Sequence, residues 1–127
     1  CERAVYGGGR TWAHDSLGAS EAARTWYLAE GCTAGDFETW VVVQNPGEEA
    51  VTVDLVLQTT EGERRPAGLA GQVIAAGCRR SFRLNDYLSA WEVSTVVEAS
   101  GPVVCERAVY GGGRTWAHDS LGNRSGP

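Results

Sequence analysis

The segment CERAVYGGGRTWAHDSLG fills residues 1–18 and recurs without change at 105–122. Eighteen identical residues at an offset of 104 cannot arise by chance, so the chain contains a duplication. That offset is too long for a solenoid repeat, whose period is roughly 20–50 residues. It matches the size of one small domain. The segment at 105–122 therefore reads as the close of a complete unit over 19–122. Residues 1–18 read as the closing segment of a preceding unit, and 123–127 as a C-terminal tail. The chain has no Met and begins at Cys1, so upstream sequence is expected.

Patterning predicts an all-β chain. Val51, Val53, Leu55 and Leu57 alternate with polar neighbours, the period of a half-buried strand. FETWVVVQ (37–44), CRRSFRL (78–84), VSTVVEA (93–99) and VVCERAVY (103–110) are further strand candidates, and 114–121 is the last. Asn45-Pro46-Gly47 and Ser100-Gly101-Pro102 punctuate them as turns. About seven short strands at this spacing predict an antiparallel, immunoglobulin-like β-sandwich. Trp40, inside an apolar run, is the expected core tryptophan. Asn85-Asp86-Tyr87-Leu88 is expected to cap one helical turn. The net charge of −5 argues against nucleic acid as partner, and no apolar run is long enough to insert in a membrane.

Several stretches together resemble a family of bacterial extracellular repeat domains found in long tandem arrays. They are TWYLAEGCTAGDFETWVVVQNPG (25–47), SFRLNDYL (81–88), VSTVVEASGPVVCERAVYG (93–111) and RTWAHDSLG (114–122). The resemblance implies a β-sandwich, a secreted or cell-surface location and no catalytic residues. An exported protein forms disulfides readily, and the four cysteines allow three full pairings. Cys32 and Cys105 both lie in the family-like stretches and are the first expected pair. Their bond would close a loop of 74 residues, stabilising by about 4 kcal/mol in the chain-entropy picture. Cys1 and Cys78 are then left to pair together, pair between chains or stay reduced.

The remaining motifs carry little chemistry. His118-Asp119-Ser120 has triad residue types, but neighbours on a strand point to opposite faces and cannot converge. Gly111-Gly112-Gly113 lacks the Lys-Ser/Thr of a phosphate loop and reads as a hairpin connection. Glu30, Asp36 and Glu38 match no calcium loop and read as solvated charges. Asn123-Arg124-Ser125 fits a glycan acceptor pattern, without meaning in a bacterial chain. No C-x-x-C spacing suggests a metal, and neither metal nor cofactor is expected.

The duplication then suggests the function. Two identical segments want one slot in the sheet, so the spare copy stays disordered, displaces its twin or docks elsewhere. Donation of Cys1, Arg3, Val5, Tyr6 and Trp12 as an inter-unit strand would link copies of the chain or neighbouring repeats into an array or filament. The expected function is thus a structural module assembled by β-strand complementation, not an enzyme. The alternative is a carbohydrate-binding or adhesive module using exposed Trp26, Trp91 and Trp116, with Tyr27, Tyr87 and Tyr110 nearby.

Overall fold

The computed structural model describes residues 1–124. Its elements are strands and two 3₁₀ turns. The strands are β1 (Glu2–Gly7), β2 (Trp12–Leu17), β3 (Ala23–Leu28), β4 (Glu38–Gln44), β5 (Val51–Thr59), β6 (Gly62–Arg64), β7 (Gln72–Ile74), β8 (Arg79–Arg83), β9 (Val93–Gly111), β10 (Trp116–Leu121) and β11 (Asn123–Arg124). The expected all-β antiparallel sandwich forms from β3–β11. The long strand β9 serves both of its sheets. Its first half lies between β3 and β5, with Val97 opposite Trp26 and Leu55. Its second half lies between β4 and β10, with Ala108 opposite Trp40 and Asp119. β8 extends the second sheet beyond β4, while β6 and β7 line the far edge of β5 and β11 adds to β3.

Two separate strands were expected on either side of Ser100-Gly101-Pro102, but these residues lie within β9. A side chain on Gly101 would meet Val51 at 2.7 Å, so glycine lets the strand cross from one sheet to the other beside β5. Alternation along β9 then buries Val93, Val97, Val103, Cys105 and Val109 between the sheets.

Two asparagines tie the turns. Asn45 is fully buried; its amide donates to the carbonyls of Glu49, Ile74 and Ala75 and accepts from Gly47 N–H. Asn85 accepts from Thr39 N–H and donates to the carbonyls of Thr33 and Phe37. The turn beside it is 3₁₀, over Leu84–Asp86. These bonds satisfy backbone groups that the sheets leave unpaired.

The core tryptophan is Trp26, not Trp40. Trp26 is 1 % exposed and its indole N–H donates to the Val103 carbonyl at 2.8 Å. In β4 the inward residues are Thr39, Val41 and Val43, which turns Trp40 to the outer face, where it is half-buried. Trp26 is correspondingly unavailable to a sugar. Asn123 and Arg124 pair with Tyr27 and Trp26, so the tail begins as part of the sheet. Ser125, the last residue of the glycan pattern, lies outside the described residues.

Candidate functional site

Residues 1–18 form their own two-stranded sheet, with Arg3 opposite Ser16, Val5 opposite His14 and Gly7 opposite Trp12. They are not added as a strand to either sheet of this chain's own sandwich. The reason lies in the twin. Its strand β9 is continuous with the core, so its slot is filled. The spare hairpin instead lies face to face on the outer side of that twin.

Each hairpin has two chemically distinct faces. In the twin, Cys105, Arg107, Val109, Trp116, His118 and Ser120 share the inward face. Glu106, Ala108, Tyr110, Ala117, Asp119 and Leu121 share the outward one. The first hairpin presents its copy of the inward face, Cys1, Arg3, Val5, Trp12, His14 and Ser16, to the outward face of the twin. Arg3 bonds both Glu106 and Asp119. Ser16 donates to Glu106 at 2.7 Å, His14 Nδ1 lies 2.7 Å from Asp119 Oδ1, and Trp12 meets Tyr110 edge-on at 6.0 Å. The contact pairs a basic donor face with an acidic acceptor face, and the Asp119 side chain is left 1 % exposed.

Burial acts to raise the Asp119 carboxyl. Its polar neighbours Glu106, His14 and Ser16 outweigh it, so the group sits below its ordinary value. The buried donor face of the twin repeats the pattern with another carboxylate. Arg107 bonds Glu30 at 2.9 Å and Ser120 at 2.8 Å, and His118 stacks on Trp116 as His14 stacks on Trp12. Gly7 and Gly111 are part of this design. A side chain at either would fall about 2 Å from its cross-strand tryptophan ring. Arg10 and Arg114 take φ of 69° and 66° at the hairpin turns.

A second feature is a cleft of about 590 Å³ at one end of the sandwich. Phe37 stands edge-on to Trp91 at 6.3 Å and to Trp116 at 5.4 Å, and all three line the cleft with Glu30, Glu92 and His118. Thr33 N–H donates to the Ala90 carbonyl and Val93 N–H to that of Gly31, which pins the loop of Phe37 to the loop of Trp91. A larger cavity of about 770 Å³ shares Trp91 and Glu92 with it and is bordered by Arg64, Arg65 and Tyr87. Trp91 is 68 % exposed and Trp116 is partly so.

The four cysteines are unpaired, so the expected Cys32–Cys105 bond is not formed. The Cys32 N–H bonds Thr39, which pairs with Val109, four residues along β9 from Cys105. Burial pushes the Cys105 thiol well above its ordinary range, while Cys1 and Cys78 are exposed. Glu30 pairs with Arg107 while staying largely in solvent, and the half-buried Glu38 pairs with Arg114. The hydrogen bond from Arg114 holds the Glu38 carboxyl below its ordinary value. No cluster of metal-ligating side chains occurs among the described residues, and no described helix is long and apolar enough to cross a membrane.

No protein-family model and no curated protein sequence matches the chain. Solved structures do. The chain is similar to the Thermotoga maritima protein 1070, with a TM-score of 0.69 at 16 % identity, covering 82 % of this chain and 96 % of that one. It is also similar to the Anabaena sensory rhodopsin transducer, with a TM-score of 0.56 at 21 % identity, covering 71 % and 99 %. At these identities the likeness defines the fold, a small antiparallel β-sandwich.

Proposed function

We propose that the chain is a structural module of an extracellular tandem array or filament, in which the repeated hairpin couples one unit to the next. The observation that carries this reading is the seating of residues 1–18, through Arg3, His14 and Ser16, on Glu106 and Asp119 of the twin. Coupling then works by stacking donor face on acceptor face, not by extending a strand ladder.

Two properties of the contact suit assembly. It is heterologous, joining unlike faces, so it has no built-in closure. Docking also leaves a fresh acceptor face open, since Glu2, Tyr6, Asp15 and Leu17 repeat Glu106, Tyr110, Asp119 and Leu121, with Tyr6 63 % and Leu17 71 % exposed. Each chain carries one docking hairpin. Passing it to the twin of the next chain conserves every contact, so concentration and strain in residues 18–22 decide between closed monomers and a head-to-tail series.

Sedimentation velocity and negative-stain microscopy over a dilution series test this. Larger species should grow with concentration, repeat at one domain length, and be absent in Arg3→Glu. Monomeric globules at every concentration, with Arg3→Glu indistinguishable, would contradict the proposal.

A further inference from the structure

We infer that the cleft beside Trp91 binds a quaternary or methylated ammonium group, caged by Phe37, Trp91 and Trp116 with Glu92 at the rim. This site is separate from the hairpin contact and does not depend on it.

The ring geometry selects the ligand. Phe37 makes interplanar angles of 74° with Trp91 and 68° with Trp116. A sugar stacks on a flat face, and one ring or two parallel rings serve it best. Rings set nearly at right angles instead form a corner, which suits a compact, roughly spherical group. A methylated ammonium fits this description, because its charge is spread over methyl groups that tolerate desolvation and attract ring quadrupoles.

The electrostatics agree. Glu92 has no ion pair among the described residues. The nearby cations are tied: Arg107 to Glu30 and Ser120, and Arg64 and Arg65, which share the adjoining cavity with Glu92, to Glu61 and Glu63. With a net charge of −5, the chain attracts cations at long range as well. The cage is also held in place. The rim of the Trp91 ring rests on Gly35, where an added side chain would come within 3.1 Å. Trp116 is backed by the parallel ring of His118.

The same chemistry can come from a free choline-like molecule or from a trimethyllysine side chain in a peptide, and the test separates them. The protein is labelled with 5-fluorotryptophan and titrated, followed by ¹⁹F NMR, with choline, a trimethyllysine peptide, methyl glucoside and 3,3-dimethylbutan-1-ol. The last is the neutral counterpart of choline with the same shape. Choline or the peptide should shift the Trp91 and Trp116 signals to saturation, and the tighter of the two identifies the source. Trp91→Ala should weaken binding at least about tenfold and Glu92→Gln a few-fold, while Trp40→Phe should leave it unchanged. Equal affinity for the neutral alcohol, saturation by the glucoside instead of choline, or no saturable shift with either cation would each overturn the inference.

Discussion

Arg3 and Arg107 occupy the same place in two identical segments and do different work. Arg107 is buried beneath the cleft and bonds Glu30, whereas Arg3 clamps the docked hairpin to Glu106 and Asp119. Arg107→Ala should cost the sandwich about 1.5–3 kcal/mol in urea unfolding. Arg3→Ala should leave that transition within about 0.5 kcal/mol and only free the hairpin. Nothing in two identical segments could assign these roles, because the difference lies in what each one packs against. The tryptophans teach a related lesson. Three consecutive valines after Trp40 left both strand registers apolar, so periodicity could not say which face was inward. Trp26, in a shorter run, took the core through its bond to Val103. Trp26→Ala should cost about 3–5 kcal/mol and Trp40→Ala about 1 kcal/mol. The cysteines make a further test. In the native protein an alkylating reagent should modify Cys1 and Cys78 readily and spare Cys105, whose buried thiol resists ionisation. Rapid native modification of Cys105 would contradict its burial.

At the scale of elements, strands were legible where apolar and polar residues alternate, as in β5 and β9. The continuity of β9 was not, because Gly-Pro ordinarily signals a turn and here lies in a strand passing between sheets. The docked hairpin was legible as a duplicate and not as a stacked layer. Its donor face is matched to an acceptor face that exists only once the twin has folded. Its pH response follows from Asp119, which faces Arg3, His14, Glu106 and Ser16. A carboxyl lowered in the docked state contributes docking stability above its free value, near 4. That contribution is lost as pH falls through the docked value. Release of the hairpin should therefore set in below about pH 4, ahead of any change in an Asp119→Asn variant, which should be weakly docked throughout. Near-ultraviolet circular dichroism of the Trp12–Tyr110 contact would follow it. A release with the same acid profile in both proteins would contradict the assignment.

For the whole molecule, the duplication puts two copies of one hairpin in contact, donor face on acceptor face. The sandwich core was legible because burial imposes a period on the chain. Trp91 and Trp116 were legible as exposed aromatics, but their meeting with Phe37 in one cleft was not, because the three come from separate loops and strand ends. The pinning of residues 31–33 against 90–93 joins the loops of Phe37 and Trp91, and the pairing of β10 with β9 places Trp116. The most direct test of hairpin docking is a double-mutant cycle between Arg3→Ala and Asp119→Ala. The docked fraction is read from the ¹⁹F signal of 5-fluorotryptophan at Trp12. Direct contact predicts a coupling of about 0.5–3 kcal/mol, whereas additivity within about 0.3 kcal/mol would place the two residues apart and contradict docking.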